Sequence, residues 1–358
     1  MLRTPFALPT DYNPRPVKHF DVERIILSKG SLDTPERESF VRRICDVYPK
    51  VPIEEQLDTA HNGVTTEKTA QRERLNKGKR TLVLGELKNP VKQYKEKKGV
   101  CPAHWSFSVY GFCPYRCSYC YLNGSPNILF SPNVKLYVNL PEIVARINHV
   151  ANRLGRTTTF HLGKTQDGLA LDPLAAYGSV LMPFFAKHRY AKQAVLTKSA
   201  CVEGLLKLEH NARTSLSWSL SPPSIAKKYE ANSPPVAARI EAMIRCAHAG
   251  YPVRAVIMPV IPCAGWQELY GDFVRDLVSK LPLQRLSVGG ICMSPAALSS
   301  LQRTKGEEND ISMALMKGHR FSQGRVWYTQ ELSQTVQRLI VESAHSVNSD
   351  LHIAPIHG

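Results

Sequence analysis

Apolar and polar positions change rhythm near residue 101. Before it the chain is polar and punctuated by proline, with one short apolar strand candidate at 81–84. After it, short apolar runs alternate with helical patterns. Residues 105–110 alternate apolar and polar side chains as a half-buried strand does, and 157–162 is β-branched and aromatic. Runs at 193–197, 214–220, 253–261 and 286–293 complete six predicted strands. Between them, 141–154 is amphipathic, with proline at its start and Gly155 just past its end, the asymmetry of a capped helix. A short helix is expected around 202–208. Another runs from 233 to 250 with Ser233 as its N-cap, and further helices are expected at 266–281 and near 331–347.

Strands regularly separated by helices predict a parallel sheet with crossover helices, hence an α/β fold. Six such units predict a curved, partly open barrel, a partial (β/α)6 arrangement with functional residues at the C-terminal ends of its strands. The rhythm divides the chain into a basic N-terminal extension (1–100), a core barrel (101–300) and a C-terminal extension (301–358) that carries the run Lys317, Gly318, His319 and Arg320. There is no internal repeat. With 358 residues and 43% hydrophobic content, the chain can bury a sizeable core. No run of about 18 apolar residues predicts a membrane span. Residues 1–18 carry four prolines and no apolar stretch of the secretory kind.

The formal net charge is +16, which favours polyanionic partners such as nucleic acid, nucleotides or anionic membrane over a merely solvated surface. The cations crowd between Lys68 and Lys98, as Lys68, Arg72, Arg74, Lys77, Lys79, Arg80, Lys88, Lys92, Lys95, Lys97 and Lys98. Such a cluster can neutralise several phosphates, with Lys79 and Arg80 the first residues to assign to that role.

Nine cysteines is an odd number, and the densest group has metal-ligand spacing rather than that of a disulfide framework, which fits a reducing cytoplasm. Cys113, Cys117 and Cys120 stand at Cys-x3-Cys-x2-Cys spacing directly after the first predicted barrel strand. Three thiolates this close can hold three corners of a [4Fe–4S] cubane. The fourth iron is then left open to bind and activate a ligand, which points to an enzyme. The bland alternative is zinc, with Cys101 and His104 at Cys-x2-His spacing joining two loop cysteines in a closed tetrahedral site.

The cysteine spacing, with Tyr119 just before the third cysteine, resembles the radical S-adenosylmethionine (SAM) motif. The resemblance implies reductive cleavage of SAM to methionine and a 5′-deoxyadenosyl radical, with an electron donor of the flavodoxin or ferredoxin type. The match extends through residues 79–85, Leu136-Tyr137-Val138-Asn139, Leu196-Thr197-Lys198, Arg239-Ile240-Glu241, Ala249-Gly250-Tyr251-Pro252 and Gly265-Trp266. Together these resemble the spore photoproduct lyase family over roughly residues 75–300. That implies a partial (β/α)6 barrel of the radical SAM type, acting on a methylene-bridged thymine dimer in DNA. By the same resemblance Cys113, Cys117 and Cys120 are the cluster ligands, Tyr119 lies beside SAM and Tyr121 near the substrate radical. Lys198 and Ser219, at the ends of the third and fourth strands, contact SAM, and Thr165 and Asp167 lie in the SAM-binding stretch. For Lys198 and Ser219 a strand-end surface residue or helix cap is the plainer reading.

One departure changes the chemistry. The repair enzymes carry a hydrogen-donating cysteine after the second strand, where this chain has Lys164. An ammonium is a poor hydrogen-atom donor. Either a second thiol substitutes, with Cys292 or Cys263 the candidates, or Lys164 binds a different substrate, such as a small anionic metabolite. Both cysteines also suit small buried apolar residues. A non-catalytic, zinc-stabilised nucleic-acid-binding protein is the reading from another class. The sequence implies no oligomeric state.

Overall fold

A computed structural model of the chain describes residues 6–65, 71–95, 103–316, 318 and 324–356. Lys68, Lys97, Lys98, Cys101, Lys317, His319 and Arg320 lie outside the described residues. The chain divides into two compact units. The first comprises Met1–Tyr94, His104–Tyr115 and Pro126–Ser215, and the second Lys95–Ala103, Arg116–Ser125 and Leu216–Gly358.

In the first unit, the N-terminal hundred residues hold more regular structure than the polar pattern suggests. Arg24–Ser28 pairs in parallel with Ile53–Gln56 on one side and Thr81–Gly85 on the other. Thr81–Gly85 continues in parallel to Val134–Tyr137, which meets Tyr110–Gly111 antiparallel. The helix Pro35–Asp46 is capped by Thr34, whose Oγ1 accepts the Arg37 amide at 3.3 Å. A second set of strands carries the candidate residues. Val91–Tyr94 pairs antiparallel with His104–Phe107, which runs parallel to Thr158–Leu162, which in turn runs parallel to Ala191–Thr197. The helix Leu140–Leu154 stands where expected and closes at Gly155, whose φ of +60° is the left-handed cap that glycine adopts without strain.

The second unit repeats the pattern. The strand Thr214–Ser219 straddles the division, and its Leu216–Ser219 portion runs parallel to Val253–Ile257. Arg285–Val288 and Ile353–Pro355 follow, also parallel. The helices Val236–His248, Trp266–Lys280 and Gln330–His345 account for the expected helical stretches, and Pro295–Lys305 and Asp310–Met316 add two more. All six expected strands are present.

Several expectations are corrected. Residues 202–208 form turns rather than a helix, closed by i→i+3 bonds from Leu205 N to Val202 O (2.9 Å) and from Leu208 N to Leu205 O (3.0 Å) around Gly204. Ser233 does not cap the following helix. Its hydroxyl donates to Glu230 O and accepts from Arg239 Nη2, each at 2.7 Å, and Pro235 stands at the cap. The strand at 253 stops at Ile257, just before Pro259, which has no N–H for a ladder. The strand at 286 also breaks, because Gly289 and Gly290 separate Arg285–Val288 from Cys292–Met293. Cys292 therefore leaves the parallel set and pairs antiparallel with Trp327.

The first sheet carries a buried lysine close to a half-buried histidine. Lys135 is buried, and its Nζ donates to Ser131 O (2.9 Å) and Asn133 O (3.0 Å), with burial pushing its pKa down to about 7. His61 bonds Glu86 O through Nδ1 at 2.8 Å and meets the Tyr137 ring edge-on. Burial, then the Lys135 charge, lower its pKa from 6.5 to about 4. Between those values the unfolded chain holds the proton that the folded one refuses, so stability falls as pH drops from about 6.5 to about 4. Urea titrations at pH 7 and pH 4.5 should show a smaller acid loss in His61→Gln than in the parent. Equal losses would remove His61 as the cause.

Candidate active site

The cysteine loop begins in the first unit. Gly111 must be glycine, since a Cβ there would stand 2.5 Å from Tyr137 Oη. Phe112 is buried with φ +58°, a left-handed value uncommon outside glycine and held only where neighbours fix it. Those neighbours centre on Lys79. Its Nζ lies 4.4 Å from the Phe112 ring centroid and donates to Cys113 O (3.2 Å) and to Tyr115 O. Lys79 is only 5% exposed, so the expected phosphate contact is corrected, because a buried ammonium spent on loop carbonyls meets no phosphate. Arg80 pairs with Glu23.

The loop continues in the second unit. Arg116–Cys117 forms a two-residue antiparallel ladder with Glu230–Ala231. Ser118 donates its amide (2.8 Å) and hydroxyl (3.2 Å) to Tyr229 O. Tyr119 is buried, and its hydroxyl donates to Glu230 Oε1. Burial, then the Glu230 charge, raise the Tyr119 phenol well above its ordinary range, so it stays protonated. Glu230 is paired in turn with Arg239 at 2.6 Å, and both side chains are buried. Cys120 precedes the short 3-10 turn Tyr121–Gly124, which packs against Pro295–Lys305 and Cys292–Met293. Gly124 permits that approach, since a Cβ there would lie 2.2 Å from Ser294 Oγ.

Cys113 and Cys120 are half-buried and Cys117 is buried, and none of the three is in a disulfide. Among the described residues no three His, Cys, Asp or Glu side chains are gathered closely enough to cage a metal ion. The fit to a cluster rests on the donor chemistry, three unoxidised thiols in one short loop whose two halves are each fixed by buried contacts. His104, the upstream zinc candidate, stacks on Tyr94 with centroids 4.9 Å apart and 6° between the ring planes.

The stretch expected to bind SAM follows Thr158–Leu162 in the first unit. Gly163 has φ +110°, and a Cβ there would stand 2.3 Å from Leu196 O. Lys164 is half-buried and Thr165 exposed, with Thr165 Oγ1 donating to Gln166 Oε1 at 2.5 Å. Asp167 is buried and accepts four hydrogen bonds. Its Oδ1 accepts from Leu169 N (3.0 Å), Ala170 N (2.9 Å) and Thr197 Oγ1 (2.6 Å), and its Oδ2 accepts from Lys198 N (2.6 Å). Burial raises its pKa despite these bonds, chiefly those from Thr197 and Lys198. Asp167 thus ties the turn after one strand to the end of the next and sets where Lys198 begins. Tyr115 is buried, and its phenol lies beside the Ser199 hydroxyl and within the field of Asp167.

The remaining candidates lie in the second unit. Ser219 is buried, and its carbonyl accepts from Arg239 Nη1 at 3.1 Å. Tyr121 is 51% exposed. Cys292 is half-buried beside Arg325; burial raises its thiol pKa, and Arg325 lowers it in part. Cys263 is raised by burial and by Asp310. Sequence reasoning missed Tyr115, Glu230 and the buried role of Arg239. Tyr115 lies inside the cysteine motif and Arg239 in a quoted block, but neither their neighbours nor those of Glu230 mark them as supports of the loop.

A model of the family described as spore photoproduct lyase matches residues 24–289. The spore photoproduct lyase of Bacillus subtilis (strain 168) is 27% identical over 239 residues, 66% of this chain and 68% of that protein. That of Clostridium acetobutylicum is 25% identical over 260 residues, 72% of this chain and 74% of its own. A solved spore photoproduct lyase complexed with dinucleoside spore photoproduct superposes with a TM-score of 0.81 at 21% identity, covering 94% of this chain and 99% of that one. A mutant with bound AdoMet and dinucleoside spore photoproduct gives 0.82 at 20%, with the same coverage. The shared fold is the mixed α/β partial barrel of the radical SAM type. The family match runs through the cysteine loop and past Ser219 but stops short of Cys292, and it sets aside the non-catalytic zinc reading. On that match the chain belongs to the spore photoproduct lyase family, enzymes of the radical SAM type.

Proposed function

We propose that this protein reverses a methylene-bridged thymine lesion in DNA, with Cys113, Cys117 and Cys120 holding a [4Fe–4S] cluster and Cys292 supplying the hydrogen atom that the family's own cysteine supplies elsewhere. The observation that carries the reading is the cysteine loop, three thiols outside any disulfide, fixed by Lys79 in one unit and by the Glu230–Arg239 pair in the other. Two solved relatives support the substrate class, one holding dinucleoside spore photoproduct and the other that ligand with AdoMet. When bound, the cluster and SAM would supply the radical chemistry for hydrogen-atom abstraction.

The chain's residues do the rest. Lys198, fixed at its amide by Asp167, offers an ammonium to the SAM carboxylate. Asp167 accepts four bonds from its own turn and the next strand end and acts through Lys198. Ser219 and Thr165 complete the SAM contacts, and the phenol of Tyr119 is held by Glu230. Cys292 stays a neutral thiol near pH 7 because burial raises its pKa, and a neutral S–H is what hydrogen-atom donation needs. Its strand packs on the turn that starts at Tyr121, so the phenol and the thiol belong to adjoining elements.

The test is anaerobic. Reconstituted protein receives SAM, dithionite in place of a flavodoxin- or ferredoxin-type donor, and an oligonucleotide carrying the methylene-bridged lesion. Restored thymine is expected. 5′-Deoxyadenosine without thymine would overturn the substrate and favour a small anionic metabolite read by Lys164. In Cys292→Ser, thymine yield should collapse while 5′-deoxyadenosine still forms. An unchanged thymine yield would remove Cys292 and direct attention to Cys263.

A further inference from the structure

We propose that Lys79 is the positioning residue of the cysteine loop and that its buried charge partly compensates the anionic cluster the loop is built to hold. The inference rests on the reading of Cys113 as a cluster ligand. Lys79 follows the helix Gln71–Gly78, where Arg72 and Lys77 face solvent. A lysine at such a helix end ordinarily does the same, donating to water near the last carbonyls. Lys79 turns inward instead. Its ammonium meets three residues of one short segment, the ring of Phe112 and the carbonyls of Cys113 and Tyr115.

Two features go beyond an ordinary clamp. Phe112 is held at φ +58° with its backbone bridged to Gln166, and the ammonium adds a contact to its ring and to the next carbonyl. Among the described residues, moreover, the Lys79 ammonium forms no ion pair with a carboxylate. A buried cation is costly unless paired, and carbonyl dipoles and a ring quadrupole repay only part of that cost. A neutral donor would serve the carbonyls alone. A charge is explained by an anion on the same loop, and a cubane carried by three thiolates is net anionic in both redox states.

The test separates position from charge. In the apo-protein, Lys79→Met should let maleimide label Cys113 several-fold faster than in the parent, read by peptide mass spectrometry. In the reconstituted protein, the cluster midpoint potential, followed by EPR during dithionite titration, should move to more negative values in Lys79→Met, because the lost cation had favoured the added electron. Lys79→Arg, which keeps the charge, should restore it toward the parent value. Lys79→Gln keeps a donor without charge, so its potential should shift as in Lys79→Met while its labelling rate stays nearer the parent's, which covers the case where the methionine variant fails to fold. Equal labelling rates and equal potentials in parent and variants, at full iron loading, would overturn the proposal. Failure of the parent to take up iron and sulfide would instead sink the cluster reading, and the apo-protein labelling still decides the clamp.

Discussion

Cys117→Ala, reconstituted with iron and sulfide and given SAM and dithionite, is expected to form no 5′-deoxyadenosine above the protein-free background. The loss should be complete because a cubane held by two thiolates is neither retained nor poised, and among the described residues no other cysteine belongs to the loop. Cys117 is the sharpest of the three to test. It is buried and sits in the ladder opposite Glu230, so a small side chain there leaves the backbone pairing intact. Thermal melting of the apo-variant close to the parent would show that the loss is chemical. SAM cleavage retained at a tenth of the parent rate or more would refute Cys117 as a ligand.

Arg239→Met is expected to cost about 3–5 kcal/mol of stability, the range for breaking a buried ion pair from one side. Arg239 is 0% exposed and makes four contacts, to Glu230 Oε2 (2.6 Å), Ser219 O (3.1 Å), Pro234 O (2.8 Å) and Ser233 Oγ (2.7 Å). Its loss strands the Glu230 carboxylate in the interior and frees the residue that fixes Tyr119 in the cysteine loop. The double variant Arg239→Met with Glu230→Leu should regain much of the lost stability, since no unpaired charge then remains buried. Urea unfolding of the three proteins measures this directly. A single variant within 1 kcal/mol of the parent would show that the pair does not hold the loop.

The cysteine motif was legible and the contacts that support it were not, for a physical reason. Cysteine spacing is a local property, written in consecutive residues between Cys113 and Cys120. Tyr119 and Glu230, by contrast, meet across 111 positions of the chain, and only folding brings them together. Charge patterning misleads in the same way. Lys79 sits in a run of cations that reads as a solvated, phosphate-seeking face, yet it alone of Lys77, Lys79 and Arg80 is buried. The barrel strands were legible from β-branched and aromatic runs such as Thr158–Leu162. The strand Ile53–Gln56 was not, because it reads Ile-Glu-Glu-Gln and its apolar content lies below any periodic signal. Cys292 was placed on the wrong strand because Gly289 and Gly290 look like part of an apolar run. Gly290 instead lets the backbone pass the Tyr328 ring, where a Cβ would lie 2.6 Å away, and the strand ends there.

The most direct measurement is 5′-deoxyadenosine formation by the full-length protein after anaerobic reconstitution, with iron and sulfide counted in the same sample. The account predicts about four irons and four sulfides per chain, as a single cubane requires, and 5′-deoxyadenosine that depends on both SAM and dithionite. Zinc at unit stoichiometry without sulfide, or a fully loaded cluster that leaves SAM intact, would contradict it.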